Sequence, residues 1–192
     1  MGIRMATAAD AAELLAIYGQ YINTSITFEY TLPTRAEFAA RITGILREYP
    51  YLVWEEDGRI LGYAYAHRHM ERAAYQWNAE LSVYLDRSAR RRGMGRRLYE
   101  TLLELLTMQG VLTAHALVTS PNPASQSLHE AMGFSLMAVH RLAGFKAGEW
   151  HDVLWYEREL APRCPDPVPP VPCSDLPQSQ VEAVLERGSA PL

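Results

Sequence analysis

Residues 80–100 read ELSVYLDRSARRRGMGRRLYE, and the residues best suited to chemistry lie in the middle of them. Arg90-Arg91-Arg92-Gly93-Met94-Gly95-Arg96-Arg97 sets two glycines among arginines, directly before a run in which Leu98, Leu102, Leu105 and Leu106 keep helical spacing. A glycine-rich loop entering a helix points several backbone N–H groups outward, and the helix dipole adds positive potential at that end. Such a construction suits an anion of the pyrophosphate type. Without a ligand it is a tight strand-to-helix connection with a solvated arginine face. A Rossmann site would want three glycines and an acidic ribose-binding residue after the next strand, and a Walker loop would want Gly-Lys-Ser/Thr. Neither pattern is met. His67-x-His69 suggests a metal pair, but no third ligand accompanies it, so no metal is expected.

Net charge sharpens the choice of ligand. The total is −4, yet Arg87, Arg90, Arg91, Arg92, Arg96 and Arg97 crowd into eleven residues. Overall acidity argues against nucleic acid, and no aromatic residues interleave the basic run. A basic knot in an acidic chain points instead to a small, highly charged ligand. No apolar run approaches the ~20 residues of a membrane span, and the N-terminus carries no signal-peptide hydrophobic region. A cytoplasmic location is therefore expected. Cys164 and Cys173 lie in a proline-rich stretch outside any metal-ligand spacing, and no disulfide is expected of them.

The elements that must position the loop can be read in order. Ile3 to Ala6 reads as a strand. Thr7 then caps a helix whose apolar face is Ala11, Leu14, Leu15, Tyr18 and Ile22. Residues 23–33 read as a loop. Thr34-Arg35-Ala36-Glu37 is a capping box that opens a second helix, which runs to about Glu48. Tyr51 to Glu56 and Arg59 to His67 are strands joined by Asp57-Gly58, a strong hairpin signal. After the strand from Glu80 to Leu85 and the glycine loop, a helix runs to Gly110. Thr113 to Thr119 reads as a buried strand, Ala124 to Met132 as a short helix, and Phe134 to His140 and Trp150 to Glu157 as strands separated by turns at Gly144 and Gly148. The order β-α-α-β-β-β-α-β-α-β-β predicts an α/β domain over residues 1–160 around a mixed, mostly antiparallel sheet. Prolines crowd residues 161–177, so 161–192 reads as an extended tail without a core of its own, ending in a short amphipathic stretch at Val181, Val184 and Leu185.

Together these motifs carry a resemblance. Arg90-x-x-Gly93-x-Gly95 after a strand resembles the pyrophosphate motif of the GNAT N-acetyltransferase superfamily, and Asn122-x-x-Ser125-x-x-Leu128-His129-x-x-x-Gly133-Phe134 is similar to its downstream helix motif. Arg72-x-x-Tyr75-x-Trp77-x-x-Glu80-x-Ser82-Val83-Tyr84 and Ala143-Gly144-Phe145-Lys146-x-Gly148-x-Trp150-His151-Asp152 resemble the phosphinothricin N-acetyltransferase family, which also acts on methionine sulfoximine. The resemblance spans about Ile3 to Leu160 and implies the GNAT fold, in which two central strands splay apart. It implies acetyl-CoA as co-substrate, held by the loop of Arg90, Arg91, Arg92, Gly93, Met94, Gly95 and Arg96. The backbone of Val83, Tyr84 and Leu85 and the side chains of Asn122 and Ser125 complete that implied site. By the same resemblance Glu80 is the general base, since an ammonium cannot attack a thioester until it loses a proton. His129 holds the place of a group that protonates the departing thiolate, and Phe28, Arg72 and Tyr75 line the acceptor pocket. Met70 stands where some phosphinothricin enzymes carry lysine. The resemblance also implies a homodimer.

The expected function is direct transfer of an acetyl group to the α-amino group of a small amino acid or analogue. A polyamine, an antibiotic or a protein N-terminus is the alternative acceptor on the same fold. A nucleic-acid-binding module is the alternative of another class. Trp77, Trp150, Tyr63 and Tyr65 are expected to pack in the core or at the rim.

Overall fold

The computed structural model describes residues 2–190. Seven strands form one sheet: β1 (Gly2–Met5), β2 (Tyr51–Glu56), β3 (Arg59–Arg68), β4 (Asn78–Leu85), β5 (Thr113–Ser120), β6 (Ser135–Lys146) and β7 (Glu149–Glu159). Their order across the sheet is β1-β2-β3-β4-β5-β7-β6, and only β4 and β5 run parallel. Helices α1 (Ala11–Gly19) and α2 (Arg35–Leu46) cover one face. Helix α3 (Met94–Gln109), joined by α4 (Pro123–Ala131), covers the other. Strand alternation divides the core accordingly. Tyr51 and Val53 of β2 pack with Leu14, Ile17, Phe38 and Ile42, whereas Leu52 and Trp54 pack with Leu98, Leu102 and Leu106.

The local signals act as their chemistry requires. The Thr34 side chain accepts the N–H of Glu37, and the Glu37 carboxylate accepts the N–H of Thr34 at 2.7 Å, closing the capping box of α2. Asp57 and Gly58 take φ of 51° and 73°, the left-handed pair of a two-residue hairpin turn. Gly110 ends α3 at φ 89°, with its N–H returned to the carbonyls of Leu106 and Thr107.

Two expectations need correction. Gly144 is no turn residue. Strand β6 continues through it to Lys146, opposite His151 and Trp150, and the turn falls on Ala147 and Gly148 at φ 55° and 88°. An irregularity between His140 and Gly144, with Leu142 at φ 47°, absorbs extra residues and lets the strand resume. A Cβ at Gly144 would collide with the Phe28 ring, so the glycine is there for close approach.

The second correction concerns the region after residue 160. Instead of a coreless extended run, it lays a chain across the domain and closes with helix α5 (Gln178–Gly188) against α3 and β1. Cys173, Leu176 and Val184 are buried. The Cys173 N–H bonds the Glu48 carbonyl at 2.9 Å, and the Ile3 N–H bonds Ser189 Oγ at 2.7 Å. Both cysteines are free thiols, and burial pushes that of Cys173 up to about 11. Among the described residues no helix is long and apolar enough to cross a membrane.

Candidate active site

Strands β4 and β5 pair only at Asn78–Thr113, Ala79–Ala114 and Glu80–His115. Beyond Glu80 they part. β4 from Leu81 to Leu85 remains bonded to β3 on its other side, and β5 from Ala116 onward remains bonded to β7, so the gap between them has strand edges for walls. Leu81, Ser82, Val83 and Tyr84 line it on one side and Ala116, Leu117, Val118 and Thr119 on the other. Asn122, Ser125 and His129 of the α4 segment, Tyr99 of α3 and Ile26 close it. Backbone groups left without a strand partner seek hydrogen bonds, and a cleft edged by them suits an extended polar chain.

At one end of the gap lies the glycine loop. Gly93 caps α3 at φ 76°, with no side chain bonding the first turn, and Arg91 beside it takes φ 63°. The first N–H groups of the helix are therefore free of a side-chain cap. The arginines divide in their duties. Arg90 donates to the Tyr21 hydroxyl at 3.0 Å and lies over its ring. Arg92 holds both oxygens of Glu56 at 2.9 and 2.8 Å, and Arg96 bonds Glu100 at 2.8 Å. Arg91 is exposed and forms no ion pair or side-chain hydrogen bond among the described residues. Met94 is buried, so only its backbone faces the loop. Gly95 sits where helix meets strand; a Cβ there would touch Leu85 at 3.4 Å.

Glu80 stands where the gap opens. Its side chain is 19 % exposed, with His67 Nε2 at 3.7 Å from Oε1 and His69 Nδ1 at 3.3 Å from Oε2. Register brings His67 there directly, since it faces Glu80 across β3 and β4. His69 stacks on His115, rings 4.1 Å apart and 13° from parallel, with the edge of Trp155 at 5.6 Å. His115 Nε2 donates to Asn78 Oδ1 at 3.0 Å. Burial first, and then the neighbouring His69, pull its pKa down to about 4, so it is neutral.

His129 is buried. Its Nδ1 lies 2.7 Å from the Ser125 carbonyl, which only accepts, so Nδ1 carries the hydrogen. Nε2 therefore faces the Tyr99 hydroxyl, 3.3 Å away, as acceptor. Burial lowers the His129 pKa and raises that of Tyr99. Tyr99 shares the cleft wall with His129, yet in the sequence it reads only as one more apolar position of α3. Asn122 caps α4, its Oδ1 accepting the Ser125 N–H at 3.3 Å, which leaves its amide N–H groups to donate elsewhere.

The acceptor candidates are brought together only in part. Phe28 lies on the loop between α1 and α2, its ring 6.4 Å from His151. The same loop is tied to the β6–β7 hairpin by Tyr30, whose hydroxyl bonds the Phe145 carbonyl, and by Lys146, whose Nζ bonds the Glu29 carbonyl. Arg72 and Tyr75 lie exposed on the turn before β4. Neither makes a hydrogen bond, ion pair or ring contact with Glu80 or Phe28 among the described residues. Trp77 and Trp150 sit at the rim, Tyr63 in the core and Tyr65 half-buried beside it. No group of three His, Cys, Asp or Glu that could hold a metal occurs among the described residues.

Comparison with known proteins gives this geometry a context. Residues 3–155 match the acetyltransferase (GNAT) domain family. The chain is 39 % identical over 171 residues to the phosphinothricin N-acetyltransferase of Streptomyces viridochromogenes, covering 88 % of this chain and 93 % of that one. It is 31 % identical to an L-methionine sulfoximine/L-methionine sulfone acetyltransferase of Salmonella typhimurium, covering 83 % and 95 % of the two chains. Among solved structures it is similar to a GNAT superfamily phosphinothricin acetyltransferase from Sinorhizobium meliloti in complex with acetyl-CoA. The TM-score there is 0.83 and the identity 36 %, over 88 % of this chain and 94 % of the other.

Proposed function

The chain belongs to the GNAT acetyltransferase family, and from that premise we propose that this acetyl-CoA-dependent N-acetyltransferase acts on the α-amino group of a small amino acid or analogue, of the methionine sulfoximine or phosphinothricin type. The observation that carries the reading is the parting of β4 and β5 at Glu80. One carboxylate thereby stands at the mouth of a cleft whose walls offer unpaired backbone and whose end offers an uncapped helix N-terminus.

These residues fit acetyl-CoA. The N–H groups of the Arg91–Arg96 loop would take the pyrophosphate, with Arg91 adding a side-chain charge that no ion pair among the described residues absorbs. Val83, Tyr84 and Leu85 would offer backbone to the pantetheine arm, and Asn122 its free amide hydrogens. When bound, acetyl-CoA supplies a thioester carbonyl open to attack.

Glu80 then takes the proton of the incoming ammonium, directly or through one water, and frees the nitrogen lone pair. N–H groups on the β4 edge stabilise the charge that develops on the carbonyl oxygen, an effect typically worth ~3 kcal/mol per donor. The departing sulfur takes the Tyr99 hydroxyl proton as the C–S bond breaks, and water returns a proton to the Tyr99 oxygen; His129, neutral with Nδ1–H on the Ser125 carbonyl, positions that hydroxyl through Nε2. No acyl-cysteine step is invoked. Cys164 and Cys173 both belong to the segment after β7, and neither lines the cleft. Phe28 would pack against the acceptor, and Arg72 and Tyr75 would meet its carboxylate.

We further propose a cytoplasmic homodimer. Leu136, Met137, Val139 and Leu142 are exposed on β6, an edge strand of the sheet. Light scattering that reads a monomer at working concentration would contradict the dimer. For the reaction itself, turnover should be measured with phosphinothricin, methionine sulfoximine, ordinary amino acids and polyamines. Turnover on the amino acid analogues is expected, and turnover on polyamines alone would overturn the proposed acceptor class.

A further inference from the structure

Two histidines flank Glu80, and the assignment of Glu80 as base leaves both without a task. Their hydrogen positions follow from their partners. His67 Nδ1 lies 3.0 Å from the Arg68 carbonyl, so in the neutral ring Nδ1 carries the hydrogen and Nε2 is a bare lone pair. That lone pair faces Glu80 Oε1 at 3.7 Å, a pairing of two acceptors that offers nothing until a proton arrives between them. His69 is the opposite case. Its Nδ1 faces Oε2 at 3.3 Å and must donate. One oxygen of the carboxylate is thus held by a donor and the other looks at an empty acceptor.

We propose that His67 is the proton exit of the base and His69 its positioning residue, so that Glu80, His67 and His69 work as one unit. The inference rests on the reading of Glu80 as general base and deepens it. In the step, the ammonium N–H bond breaks as an O–H bond forms at Oε1. That O–H bond then breaks as His67 Nε2–H forms, with closure to the ~3 Å of an N–H···O bond. The products are a carboxylate and an imidazolium, an ion pair in place of a neutral, partly buried acid. His67, whose side chain is 37 % exposed, releases the proton to water, and Glu80 is ready for the next turnover. His69 does not carry the proton outward: its side chain is only 7 % exposed and is pinned between His115 and Trp155.

The surroundings are consistent with this division. From β3 the other titratable neighbour is Tyr65, from α3 Tyr99 and from β5 His115, and each feels the charge of Glu80. The two tyrosines are neutral across the working range because burial raises their pKa values, and His115 is neutral because burial lowers its own. Of the cations, Arg163 acts on His115 and Arg41 on Tyr65. His67 is therefore the solvent-facing titratable group beside Oε1.

The test uses the full chain with acetyl-CoA and methionine sulfoximine, following thiol release across about pH 5.5 to 9 in dilute buffer. H67Q, which cannot take up a proton, should lower kcat on the order of tenfold. This is less than the 10²–10⁴ of a direct proton-transfer group, because water can substitute. Added imidazole should restore much of the loss, with KM for acetyl-CoA unchanged. H69A should lower kcat and displace the acid limb of the pH profile. H69N, whose side-chain amide N–H replaces Nδ1–H, should recover it. H67Q with wild-type kcat and no response to imidazole overturns the relay, and H69A with an unchanged pH profile overturns the positioning role. E80Q, run alongside, separates the two levels: if it keeps wild-type turnover, the base assignment itself has failed.

Discussion

Replacing Glu80 by glutamine is the perturbation that most narrowly probes the proposed chemistry. Glutamine has the size and shape of the carboxylate, and its Oε1 can still accept the His69 N–H that now lies 3.3 Å from Glu80 Oε2. The partly buried surroundings and the strand register should therefore persist, and only the capacity to take a proton is lost. Positioned general bases contribute about 10²–10⁴ in rate, which corresponds to roughly 3–5 kcal/mol of activation free energy. The acetyl-CoA contacts proposed above lie on the loop and on Val83 to Leu85, so binding of that substrate should change less than twofold. The assay pairs thiol release at saturating substrates with a direct titration of CoA. Equal kcat for the two proteins at every pH would refute Glu80 as the base. A matched loss of CoA affinity would show instead that Glu80 shapes the binding cleft.

Three further outcomes follow from the same structure. Gly93 at φ 76° caps α3, so Gly93→Val should cost on the order of 1–2 kcal/mol of backbone strain and weaken CoA binding by distorting the loop; an unchanged dissociation constant by calorimetry would exclude the loop as the anion site. Ending the chain at Leu160 removes α5 and the buried Cys173, Leu176 and Val184, so the melting temperature should drop by several degrees, whereas a tail without packing would leave it unchanged. His115 is held neutral with its pKa lowered from 6.5 to about 4, so the unfolded chain binds the proton more readily than the folded one between those values. Its contribution to stability is therefore fully present above about pH 6.5 and is lost as pH falls toward 4, and His115→Gln should flatten that limb in denaturant titrations.

Much of this architecture is legible in the chain wherever the determinant is local. Asp57-Gly58, the Thr34–Glu37 box and Gly110 each act through bonds within a few residues, and each is found where its chemistry places it. What depends on distant partners is harder to read. The prolines after Ala161 conceal that Cys173, Leu176 and Val184 meet a surface offered by β1, α3 and the end of α2. Gly144 looks like a turn until Phe28, far away in the sequence, is laid across it. The same holds at the site. Glu80, Asn122 and His129 carry motif spacing, but the convergence of His67, His69 and His115 on Glu80 is a product of strand register, and a single strand's alternation does not disclose its partner's register. Tyr99 is the converse: an aromatic position on an apolar helix face, whose hydroxyl acquires meaning only once α4 sets His129 against it.

The position of acetyl-CoA together with its acceptor is the most direct test of the proposed chemistry. A crystal structure of the chain with CoA and methionine sulfoximine is predicted to place the pyrophosphate against the N–H groups of Gly93 to Arg96 and the pantetheine arm between β4 and β5. The acceptor nitrogen should lie within hydrogen-bond reach of Glu80, or one water away from it. Finding CoA outside that gap, or the amine nitrogen turned away from Glu80, would contradict the account.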